Sequence, residues 1–208
     1  MTYNFDEIID RRNTNSENVE GWRPYIFHCG PERVFPYKDE EFIRMWVADM
    51  EFAVAPEILQ AITDRVDRRI LGYTLVYDKG YYEALRAWCE SRYGWSFPKE
   101  QLTFSPGVIP ALYQLTEDLV KPLNGKVLTM TPAYGFFLHA CEYNGVELVT
   151  SPLREENGRF SVDWEDLEAK AADPDVKLLM LCNPHNPTGR IWTCLLYTSP
   201  SPRDRTRS

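Results

Sequence analysis

The residues best suited to chemistry are Cys182-Asn183-Pro184-His185-Asn186-Pro187-Thr188-Gly189-Arg190, which follow the apolar run 176–181. Each Asn-Pro step pushes the asparagine out of the helical backbone region, and proline has no amide to donate. A strand must therefore end here and present side chains at its carboxyl end, which is where open α/β sheets bind ligands. A second candidate is Ser105-Pro106-Gly107-Val108-Ile109, a glycine loop ahead of a helix. The unpaired amides and positive dipole end of that helix can hold a phosphate. A third, Thr131-Pro132-Ala133-Tyr134, offers an aromatic ring. A phosphate grip, a ring to stack on and an amide side chain are what a flat, anionic heteroaromatic cofactor requires.

Other chemistries find less support. There is no G-x-G-x-x-G, and Gly125-Lys126 fails as a P-loop because Val120 stands where that motif needs glycine. Cys29, Cys89, Cys141, Cys182 and Cys194 are scattered, odd in number and without C-x-x-C spacing, so they read as reduced thiols and not as a zinc site or a disulfide frame. His185 reads as a turn residue, and His28 and His139 carry no chemical reading. Asp10-Arg11-Arg12 reads as a solvated or capping charge cluster.

The elements that must position these residues can be followed along the chain. Residues 1–45 are polar and aromatic and broken by prolines, an extended arm with little regular structure. Pro56 opens a helix with Ile58, Leu59, Ile62, Val66 and Ile70 at helical spacing, ending at Gly72. A second runs from about Tyr81 to Tyr93, stopped by Gly94. From Leu102 the pattern becomes strand (102–104), helix (110–121, with Leu112, Leu115 and Leu119 inward), strand (126–130), helix (to Asn144, stopped by Gly145), strand (146–150), helix (163–172) and strand (176–182). Such alternation implies a parallel-rich sheet with helices on both faces.

The formal charge of −8 over 208 residues argues against a nucleic-acid surface. No apolar run reaches a membrane span, and the start resembles no secretory signal, so the reading is cytoplasmic with no membrane partner. From Cys194 the periodicity stops, and Ser199-Pro200-Ser201-Pro202-Arg203 is foreign to the rest. Residues 194–208 read as a non-native tail.

Four stretches carry a resemblance to a known family: Met45-Trp46-Val47-Ala48-Asp49-Met50-Glu51-Phe52, Phe104-Ser105-Pro106-Gly107-Val108-Ile109-Pro110-Ala111-Leu112, Thr131-Pro132-Ala133-Tyr134 and residues 182–192. The sequence resembles the pyridoxal-phosphate enzymes of the aminotransferase class I/II family, fold type I, most closely the MalY/PatB-like cystathionine β-lyase branch. The resemblance spans residues 1–193 and implies a truncated large domain: 1–45 an N-terminal arm or small-domain segment, 46–193 the first part of the cofactor-binding domain. It implies that amides of Gly107, Val108 and Ile109 hold the phosphate of pyridoxal 5′-phosphate, Tyr134 stacks on the ring and Asn186 bonds the 3-hydroxyl oxygen. Tyr73 would reach the phosphate of a partner subunit in a homodimer, and Ala48 and Asp49 would lie on the substrate side.

In that family a Schiff-base lysine, an acidic partner for the pyridinium nitrogen and a carboxylate-binding arginine follow the strand ending at Asn186. Residues 190–208 match neither lysine nor acid, so no catalytic residue is assigned in this chain. The expectation is an inactive amino-terminal fragment of a carbon–sulfur β-lyase acting on cystathionine or cysteine conjugates. An aminotransferase on the same fold is the alternative, and a non-catalytic truncated module is an alternative of another class.

Overall fold

The computed structural model describes residues 3–75 and 78–192. The expected non-native tail lies outside them. Contacts divide the chain into two compact units, Met1–Asp78 and Lys79–Ser208.

The first unit contains α1 (Glu17–Glu20), α2 (Trp22–Ile26) and α3 (Pro56–Val66). The arm is thus more ordered than its composition suggests, because aromatic side chains give it a small core. Trp22 is buried, with the rings of Phe27, Phe35 and Phe42 at 5.8, 5.3 and 4.9 Å. The Arg23 guanidinium lies 4.5 Å from the Trp22 ring and pairs with Asp39 at 2.7 Å. Pro56 takes the first turn of α3, as expected. The helix stops at Val66 instead of Gly72, and none of its residues is buried.

The second unit begins with α4 (Lys79–Tyr93), which Gly94 ends with φ +62°. Residues 102–104 form no strand, because they pair with none of the described strands, and Phe104 instead turns its ring toward Tyr81 at 5.1 Å. The helix after Gly107, α5 (Val108–Leu115), passes into a π-helical turn at Thr116–Val120. Leu112 still meets the core, but Leu115 and Leu119 are exposed, and Thr116 and Val120 are buried in their place.

There follow β1 (Lys126–Thr131), α6 (Gly135–Asn144), β2 (Glu147–Pro152), the hairpin strands β3 (Arg154–Glu156) and β4 (Arg159–Ser161), α7 (Trp164–Ala171) and β5 (Val176–Met180). The main sheet has the order β2-β1-β5, all parallel. Its central strand is buried on both faces, so its residues alternate between two clusters. Val127 joins Val120, Phe137, Cys141, Val146 and Met180, while Leu128 and Met130 join Leu167 and Trp192. Full burial of Val127 and of Leu128 stabilises the fold by roughly 1.5–3 kcal/mol each. The sheet therefore has the π turn and α6 over one face, and α7 with Trp192 over the other. Gly145 closes α6 in the left-handed region at φ +66°. Gly125 lets the chain enter β1 beside Lys177, where a Cβ would collide with the Lys177 side chain.

Candidate functional site

From β1 the chain crosses to β2 on one side and returns to β5 on the other. The direction of winding therefore reverses between β1 and β5, and the crevice outside their carboxyl ends is the position where α/β sheets take ligands. Tyr134 leaves the end of β1 through Thr131-Pro132-Ala133, and Asn186 leaves the end of β5. The peptide bonds Thr131–Pro132, Asn183–Pro184 and Asn186–Pro187 are cis.

Tyr134 precedes α6 with extended backbone (φ −61°, ψ 123°) and is half-buried, its ring 5.4 Å from Phe136 and 6.1 Å from Phe137. Leu112 of α5, Ala133, Tyr134 and Cys182 all pack against the one cluster of Val120, Val127, Phe137, Cys141, Val146 and Met180. That shared contact fixes α5, the end of β1 and the end of β5 to the same piece of core.

Val108 lies one turn before Leu112 and is exposed. Gly107 ahead of it is extended (φ 166°, ψ 171°), and the Ser105 hydroxyl donates to its carbonyl at 2.8 Å. First-turn amides of an α-helix have no acceptor within the helix. Here the first turn also carries no acidic side chain that would repel an anion.

The Asn186 turn is held from several sides. Asn183 Oδ1 accepts the Trp192 amide at 3.0 Å, the Trp192 indole donates to the Cys182 carbonyl at 3.0 Å, and the His185 amide donates to the Arg190 carbonyl at 2.7 Å. His185 is buried in the turn, Nδ1 2.8 Å from Thr188 Oγ1 and its ring against Trp192 at 5.3 Å; burial pushes its pKa down. The Asn186 carboxamide is exposed and has no hydrogen-bond partner among the described residues. Burial pushes the Cys141 thiol up to about 11, which leaves it inert in the core.

Gly107, Val108, Ile109, Tyr134 and Asn186 belong to the second unit, and Ala48, Asp49 and Tyr73 to the first. Tyr73 is fully exposed. Asp49 is exposed and paired with Arg11, which holds its carboxyl below the usual carboxylate range. Arg11 is therefore not a solvated member of the Asp10-Arg11-Arg12 cluster. Asp10 pairs with Arg12, while Arg11 turns to Asp49 and has Glu51 at 3.9 Å. Sequence reasoning also missed Asn18, a buried amide that accepts from Arg44 Nε at 2.8 Å and donates to the Val47 carbonyl at 3.2 Å. With the Trp46 indole donating to the Asn18 carbonyl at 3.3 Å, these bonds tie the 44–49 segment to α1. No spacing signals such long-range partners.

Comparison with known proteins gives this geometry a context. The family model described as Aminotransferase class I and II matches residues 40–197. The chain belongs to this family. Cystathionine beta-lyase PatB of Bacillus subtilis is 42% identical over 149 residues, 72% of this chain and 38% of PatB. Protein MalY of Escherichia coli is 27% identical over 192 residues, 92% of this chain and 46% of MalY. Among solved structures, the PLP-bound C-S lyase from Staphylococcus hominis superposes with a TM-score of 0.79 at 43% identity, over 93% of this chain and 46% of that one. The chain thus spans less than half the length of these family members. The partial sheet described above is part of fold type I.

The residues at the β1/β5 crevice fit a phosphorylated heteroaromatic group. The first turn of α5 offers amides with no acid in that turn, the end of β1 a half-buried aromatic ring, and the turn after β5 a carboxamide without a hydrogen-bond partner among the described residues. Among the described residues no cluster of His, Cys, Asp or Glu could hold a metal, and no helix is long and apolar enough to cross a membrane.

Proposed function

We propose that this chain supplies the phosphate- and ring-binding part of a pyridoxal-phosphate-dependent carbon–sulfur β-lyase. The substrate class is cystathionine or a cysteine S-conjugate, and the products are a thiol, pyruvate and ammonia. The observation that carries this reading is the packing of Leu112, Tyr134 and Cys182 on one core cluster, which ties α5 and the ends of β1 and β5 to the same piece of core. The naming of PatB as a cystathionine beta-lyase and of the Staphylococcus hominis protein as a PLP-bound C-S lyase supports the chemistry.

When bound, pyridoxal phosphate draws electrons from the substrate Cα, so that its proton can leave and the Cβ–S bond can break. The chain's own residues bind and orient. The amides of Gly107, Val108 and Ile109 donate to the phosphate, where charge-assisted bonds are roughly twice as strong as neutral ones. Tyr134 stacks on the ring, worth about 0.5–1.5 kcal/mol beyond burial, and so orients more than it holds. Asn186 donates to the 3-oxygen. Ala48 and Asp49 lie on the substrate side, with Asp49 paired to Arg11. Tyr73 reaches the phosphate held by a partner subunit of a cytoplasmic homodimer. No residue of this chain is assigned the proton transfer at Cα, and the chain alone is expected to release no thiol.

The test is to supply the full-length protein with L-cystathionine and follow thiol and pyruvate. The lyase reading expects both in equal amounts. Keto-acid exchange without thiol release would make the protein an aminotransferase on the same fold.

A further inference from the structure

The carboxamide of Asn186 has no hydrogen-bond partner among the described residues, so its position follows from its backbone. That backbone lies between Pro184 and Pro187, and its amide donates to the sulfur of Cys182 at 3.4 Å. The same thiol donates to the Pro184 carbonyl at 3.3 Å. A thiol can do both only as S–H, with the proton toward the carbonyl and a sulfur lone pair toward the amide. Cys182 is itself anchored. It packs against the cluster containing Val120, Val127 and Met180, and its carbonyl accepts the indole of Trp192, which belongs to the cluster on the opposite face of the sheet. Beside the bonds of Asn183 and His185, the Cys182 side chain is therefore a direct link from the core to the Asn186 amide.

We propose that Cys182 is a positioning residue for Asn186, its thiol bridging the Pro184 carbonyl and the Asn186 amide so that the carboxamide is held at the mouth of the β1/β5 crevice. This rests on the assignment of Asn186 to the cofactor's 3-oxygen. The thiol touches no reacting atom. It removes motion from the turn, so that less ordering remains to be done when the cofactor binds.

The experiment is a double-mutant cycle on the full-length protein, read as the equilibrium dissociation constant of pyridoxal phosphate by dialysis and not as turnover. Cys182→Ala removes both hydrogen bonds. Cys182→Val removes them while filling the space, which keeps the test open if the alanine variant folds poorly. Cys182→Ser restores donor and acceptor. Loss of a neutral hydrogen bond predicts that Ala and Val weaken binding about 2- to 10-fold, while Ser stays near wild type. In an Asn186→Ala background, Cys182→Val should cause no further loss, because the two act as one unit. A loss from Asn186→Ala with none from Cys182→Val, or losses that add independently, overturns this inference alone. No loss from Asn186→Ala overturns the placement of Asn186 against the cofactor, and this inference with it.

Discussion

Asn186 and His185 are neighbours with opposite fates, one carboxamide exposed at the crevice and one imidazole buried behind it. The sequence shows that a strand ends here, because proline chemistry is local. It does not show that His185 packs on Trp192, a tertiary contact that depends on how the turn closes. That burial has a pH consequence. The folded state lowers the His185 pKa, so it favours the neutral ring. The stability this residue contributes is fully present above the ordinary value of about 6.5 and is lost as pH falls through the folded value. His185→Gln should therefore flatten the fall in urea midpoint between about pH 7.5 and pH 5 relative to wild type. Equal slopes for the two proteins would show that His185 is not titrating against folding. Arg11 was illegible for a similar reason: its partner Asp49 is far away in sequence, and a charge cluster alone does not say which member turns inward.

At the scale of elements, the β1-α6-β2 and α7-β5 alternation was readable, as were the stops at Gly94 and Gly145, because period and caps agree there. The end of α5 was not. Its leucines at 112, 115 and 119 keep a helical period, but the buried stripe is rotated to Leu112, Thr116 and Val120, leaving Leu115 ahead of the π turn and Leu119 within it exposed. The hairpin β3–β4 was also missed. Its strands are three residues long and largely polar, and only Asn157-Gly158, both at positive φ, marks it. The rotation can be measured. Val120→Ala should destabilise the full-length protein by about 2 kcal/mol in urea unfolding, while Leu119→Ala stays within about 0.5 kcal/mol. The reverse ranking would restore the regular helix that the leucine spacing suggests.

At the scale of the whole molecule, a family fold is present in part, with a three-stranded parallel sheet among the described residues and a switch point between β1 and β5. Fold class was legible because strand–helix alternation constrains it strongly. Three candidate loops were legible in the sequence, but not what they pack against. What joins them is the packing of Leu112, Tyr134 and Cys182 on common core residues, which spacing cannot show. The central claim is that this place seats the cofactor with its phosphate on the first turn of α5. Val108→Pro tests it most directly. Proline suits the first helical position, Gly107 before it is already extended, and the Val108 side chain is exposed, so the substitution deletes an amide and little else. The measurement is the dissociation constant of pyridoxal phosphate and of pyridoxal, which lacks the phosphate, for wild-type and Val108→Pro full-length protein. A lost charge-assisted hydrogen bond predicts about 10- to 100-fold weaker binding of pyridoxal phosphate with pyridoxal unchanged. Equal weakening of both ligands, or of neither, would contradict the placement.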